Sequence, residues 1–161
     1  MDAILARTTR RQRGAYALEF ALAFPILFLL IYALLTFGLI MTAQQALNYA
    51  AETGARAALM APTQGLGMAA RKDIATLSAA QQISWLSSWV GAEQLQVNAE
   101  LLPADNRLQV TVVYHYAQAP LMPMLGPQGM FALVVPERLS SQASVNLQVA
   151  GVLAGEGLHA E

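Results

Sequence analysis

The chain has 161 residues, of which 56% are hydrophobic and only 12% charged, and its formal net charge is −1. This length leaves room for one domain beside a membrane segment, and the balanced charge supplies no electrostatic reason to hold nucleic acid. With no cysteine, disulfides, thiol chemistry and thiolate metal sites are excluded.

Arg7, Arg10, Arg11 and Arg13 precede a run from Phe20 to Met41 that contains 22 residues and no charge. A helix rises ~1.5 Å per residue, so about 20 such residues cross the ~30 Å hydrocarbon core of a bilayer. A cleaved secretory signal has a shorter apolar core, roughly 7–15 residues, and a small-residue cleavage site. Here Met41-Thr42-Ala43 sets a bulky residue where a small one is wanted. The next basic residue after Arg13 is Arg56, and this bias predicts a cytoplasmic N-terminus with the C-terminal bulk outside. The four arginines are read as topogenic.

Glu19 does not suit a plain anchor, because a carboxylate near the start of a membrane helix costs free energy on insertion and such residues usually have a partner. Gly14, then four residues, then Glu19-Phe20 resembles the processing motif of the pilins of the tight-adherence (Flp) pilus. In that family a membrane aspartyl peptidase, the prepilin peptidase, cuts after the glycine. The resemblance implies a cut between Gly14 and Ala15 that discards the leader and keeps the membrane helix. Loss of residues 1–14 would remove four arginines and Asp2, leaving five basic and nine acidic residues and a net charge of −4. The new α-amine at Ala15, with a reference pKa of about 7.7–8.0, would be largely cationic one helical turn from Glu19. Glu19 is then expected to pair with its own amine or with a neighbouring subunit's.

From Thr42 to Leu59 the helical pattern continues, and Pro62 is the first residue to stop it. Ala43, Ala46, Ala50, Gly54, Ala57 and Ala61 recur every three or four positions. That spacing lines small residues along one face where another helix could approach closely, although an alanine-rich helix needs no such purpose. Pro25, then Gln44-Gln45-Ala46, then Glu52-Thr53-Gly54-Ala55-Arg56-Ala57-Ala58, resembles the TadE-like pseudopilins of the same pilus system. The likeness runs from about residue 11 to residue 60. It implies a bacterial inner-membrane protein used in pilus assembly, adhesion and surface colonisation. The implied partners are the prepilin peptidase, other pilins or pseudopilins, the pilus assembly platform and the lipid bilayer.

A linker at residues 62–67 precedes a helix predicted over Met68–Val90. One row on it holds Ala70, Ile74, Leu77, Trp85 and Trp89, and a second holds Ile83, Leu86 and Val90. The tryptophans are assigned to the core in preference to a membrane surface or an adjacent subunit. Leu95, Val97, Ala99 and Leu101 alternate with polar residues, and so do Leu108, Val110, Val112, Tyr114 and Tyr116 beyond a turn at residues 103–106. These make a β-hairpin. A further strand is predicted from the alternation of Ala143, Val145, Leu147 and Val149, and a short one at Phe131–Val135. Between them, residues 119–131 form an apolar, proline-broken loop, either a contact surface or a cover for the core.

The expected architecture is α+β: a long N-terminal transmembrane helix that continues into an amphipathic helix, then a small antiparallel sheet with one packed helix. The divisions are a leader at 1–14, a span at 15–41, a helical extension at 42–61, an exported domain at 62–150 and a loose tail at 151–161. His115 and His159 are the only histidines and lack the spacing of a metal site. With no nucleophile elbow, phosphate loop or dinucleotide fingerprint, neither an enzyme nor a cofactor site is expected. The rival reading is an uncleaved single-pass anchor whose exported domain binds an envelope partner.

Overall fold

The structure, a computed structural model, describes residues 8–61, 67–102, 106–123 and 135–147, with side chains from Gly14 onward. The chain divides into two compact units, Met1–Leu39 and Ile40–Glu161. Helix α1, Thr8–Met60, supplies 53 residues to them without a break. Leucine and alanine favour it throughout, and Pro25 lies inside it.

In the first unit the side chains from Gly14 to Leu39 are exposed or half-buried. The most apolar stretch has a mean hydropathy of 2.5 and nothing in it is buried, so α1 is long and apolar enough to cross a membrane.

The second unit is a two-layer α+β fold. Strands β1 (Leu95–Leu102), β2 (Arg107–Tyr114) and β3 (Leu139–Asn146) form an antiparallel sheet in the order β1-β2-β3. Its register sets Val97 opposite Val112 and Ala99 opposite Val110, and sets Val110 opposite Ala143. Leu108, Val110, Val112 and Tyr114 are buried on one face. The other face carries exposed Gln96, Asn98, Glu100, Ser140, Gln142 and Ser144. This is the period-2 pattern of a sheet with one packed side. Asn106 takes φ +48 at the end of the β1–β2 turn, a left-handed conformation that asparagine tolerates better than most residues.

The predicted 68–90 helix is two helices, α2 (Met68–Gln82) and α3 (Ser84–Val90), separated at Ile83 with φ −102 and ψ 11. Their buried row is Ala75, Ala79, Ile83 and Leu86. Trp85 and Trp89, expected in the core, are instead 45% and 76% exposed, and Leu77 is exposed with them. Helix α1 comes closest to α2 at Gly54. A Cβ placed on Gly54 would lie 2.7 Å from the Ala75 carbonyl oxygen and 3.0 Å from the Ala79 Cβ. At that separation only small residues fit opposite Gly54, which is where Ala75 and Ala79 lie.

β3 begins four residues before the predicted alternation, at Leu139, and Ser141 is buried within it. The strand predicted at Phe131–Val135 falls mostly on residues 131–134, outside the described residues, as do residues 124–131 of the apolar loop, His159 and the tail. In the described part of that loop, Leu121 packs against the core. This fits a cover, for these residues, better than a free surface.

Candidate functional site

Gly14, Ala15, Glu19 and Phe20 all lie on α1. A side chain at Gly14 would meet nothing within 4 Å, so no described residue crowds that side of the helix. Ala15 and Glu19 are exposed and four residues apart, hence on one helix face. Arg7 lies outside the described residues, and Arg10, Arg11 and Arg13 are placed on the helix by backbone alone.

Phe20 begins a feature that sequence reading had missed. The rings of Phe20 and Phe24 are 5.5 Å apart, those of Phe24 and Phe28 6.1 Å, and those of Phe28 and Tyr32 6.5 Å. The four aromatics make a stripe at i, i+4 spacing, legible in the sequence as Phe20, Phe24, Phe28 and Tyr32 but hidden inside a run that is apolar on every side. Just beyond it, the Thr36 hydroxyl donates to the Tyr32 carbonyl at 2.8 Å, which satisfies the hydroxyl within the helix.

The small-residue row occupies the second unit. Ala43, Ala50 and Gly54 are buried, while Ala46 and Ala57 are half-buried at its margin. What they meet belongs to this same chain: Gly54 is pressed between α2 and β2, with Val110 Cγ1 3.3 Å from a Cβ built on it. Leu47, Ala51, Ala55 and Ala58 complete the buried face. Gln44 ties the helix to β3, its Nε2 donating to the Ser140 carbonyl at 3.0 Å. On the opposite face Glu52 and Arg56 form an exposed i, i+4 ion pair at 3.5 Å, of the kind worth at most a few tenths of a kcal/mol. The segment from Glu52 to Arg56 thus has a physical division of labour: charges outward, a glycine where α2 and the sheet come closest.

Tyr114 and Tyr116 close one end of this core, ring against ring in an edge-to-face contact at 5.6 Å. The Tyr114 hydroxyl donates to the Ala119 carbonyl. Burial pushes its phenol up to about 12, with the neighbouring Tyr116 adding to the rise. His115 is half-buried between them, its backbone N–H donating to the Gln94 carbonyl at 2.9 Å. Among the described residues, the His115 Nε2 and Gln94 Oε1 atoms are buried with no hydrogen-bond partner. No group of three or more acidic, histidine or cysteine residues among the described residues is placed to hold a metal ion. What the arrangement offers is therefore recognition and packing along a helix: an open glycine, a carboxylate one turn beyond it, an aromatic stripe and a glycine-centred contact.

No curated protein and no solved structure matches the chain. Residues 14–56 match the model of the TadE family, described as TadE-like protein. The matched stretch opens on Gly14 and closes on Arg56, so it holds Glu19, the aromatic stripe, Pro25, the Gln44 contact and the Gly54 contact, and in these residues the chain is TadE-like.

Proposed function

We propose that the chain is a membrane-anchored pseudopilin of a tight-adherence pilus, cut between Gly14 and Ala15 by a prepilin peptidase, and that it acts in assembling or initiating the filament. The observation that carries this reading is the coincidence of the TadE-like match with an apolar helix headed by Gly14 and Glu19. The peptide bond at Gly14 lies within helix α1, and a scissile bond must leave a helix to enter a peptidase cleft. Glycine costs a helix about 1 kcal/mol relative to alanine, which makes this bond easier to unwind than one flanked by alanines. The arginine leader stays on the cytoplasmic side of the inner membrane, and the unit from Ile40 onward is exported while tethered.

After the cut, the Ala15 amine and the Glu19 carboxylate stand one turn apart at the lipid boundary. An ion pair there offsets the cost of each charge in a medium that solvates neither. Pairing with a neighbouring subunit would also fix the axial offset between subunits. The Phe20 to Tyr32 stripe gives such a neighbour a broad apolar face, and other pilins, pseudopilins and the assembly platform are the partners this reading names.

The test is the intact mass of the protein extracted from membranes of cells with and without the prepilin peptidase. Loss of residues 1–14 only where the peptidase is present is the expected result. A full-length mass in both strains would leave an uncleaved single-pass anchor. In the same cells, Glu19→Ala should still be inserted but should enter pili poorly; wild-type incorporation would remove the pairing role.

A further inference from the structure

Trp85 and Trp89 are the only tryptophans in the chain, and both face outward. They stand four residues apart on α3 and are exposed, whereas Leu86 beside them is completely buried. The segment that carries them is free of charge: no acidic or basic residue occurs between Asp73 and Glu93. The hydroxyls next to them are already satisfied, Ser87 donating to the Ser84 carbonyl at 2.8 Å and Ser88 to the Trp85 carbonyl at 2.7 Å. A face of this kind loses little when it leaves water, and the indole N–H groups keep a polar edge that an apolar core would have to satisfy.

The position of this face within its unit indicates what it meets. From Val90 the chain passes through Gly91 and a 3-10 turn at Ala92–Gln94 into Leu95. Leu95 pairs with Tyr114, which pairs with Leu139. The next residue, Ser140, receives the hydrogen bond from Gln44 on α1. The α3–β1 junction therefore lies at the end of the sheet where α1 enters the unit. Entry is immediate, since Ile40, one turn before Gln44, is only 7% exposed and belongs to the core.

We infer that the α3 face bearing Trp85 and Trp89 seats in the headgroup and upper acyl region of a lipid bilayer. Tryptophan favours that region because its ring is apolar and its N–H still reaches polar atoms there. The inference rests on α1 as a membrane span and is independent of cleavage or pilus assembly.

The experiment uses the full-length chain in phosphatidylcholine vesicles, where intrinsic tryptophan emission reads this face alone. Lipids brominated at shallow acyl positions should quench the emission. Iodide present on both sides of the bilayer should quench it severalfold less than it quenches a free tryptophan amide. Trp85→Phe and Trp89→Phe each leave one reporter, and both should respond. Free access of iodide with no quenching by brominated lipid overturns the inference. Shielding from iodide without quenching by brominated lipid overturns it as well, and an increase of that shielding with the protein-to-lipid ratio would assign the face to a second copy of the chain.

Discussion

Gly54 shows how a single residue ties the matched segment to the fold. A methyl group there would meet a backbone oxygen, the Ala75 carbonyl, at 2.7 Å, and backbone yields less readily than a side-chain tip. Gly54→Ala should therefore lower stability by about 1–3 kcal/mol through overpacking, despite alanine's better helix propensity. Thermal unfolding of the full-length chain in detergent checks this, and a rise in the midpoint would mean that the helices separate freely. Tyr114 makes a pH-dependent contribution. The folded protein holds the phenolic proton up to about pH 12, whereas an unfolded tyrosine releases it near 10. The stabilisation is then fully present below pH 10 and is lost as the pH climbs toward 12. Tyr114→Phe should cost about 1 kcal/mol near neutrality by deleting its hydrogen bond. It should also flatten the decline between pH 10 and 12, read by denaturant titration at a series of pH values alongside the parent.

Helix α1 is one element with two kinds of apolar surface. Before Leu39 none of its described side chains is fully buried, and from Ile40 its inward face is the floor of a protein core. The same residue type consequently does different work along it. Leu47 is fully buried and Leu34 is 64% exposed. Leu47→Ala should destabilise the packed unit by about 2–5 kcal/mol. Leu34→Ala should leave its unfolding midpoint unchanged and affect only partition into lipid. Melting curves of both variants in the same detergent separate the two roles, and equal midpoints would mean that the core does not reach α1. Helices α2 and α3 show the reciprocal constraint. Where α1 is close, at Gly54, α2 presents Ala75 and Ala79, and past the break at Ile83 the short second helix buries Leu86 and leaves its tryptophans out.

At the scale of the molecule, a long apolar helix and a small antiparallel sheet were both legible before any coordinates, because each rests on a periodicity. Absence of charge over 22 residues and the apolar alternation of Leu108, Val110, Val112 and Tyr114 are local signals that no distant contact reverses. Other features escaped for physical reasons. The start of β3 at Leu139 carries serines at 140 and 141 where the pattern calls for one apolar residue, and only pairing with β2 makes it a strand. The tryptophans were assigned inward because size and apolarity favour burial, but the inward place on α3 is taken by Leu86. The aromatic stripe was visible in spacing yet uninformative in sequence, since a run that is apolar all round marks no preferred side.

The sequence alone therefore determined the elements, the apolar span and the motif at Gly14 and Glu19, all of which depend on residues near one another along the chain. Tertiary structure decided which faces those elements bury. It set Gly54 against Ala75 and Val110, tied Gln44 to Ser140, joined the Tyr114 hydroxyl to the Ala119 carbonyl and left Trp85 and Trp89 outside. Such choices depend on the distance between elements far apart in the chain, and that distance is set by the smallest side chains in the contact, which periodicity alone does not reveal.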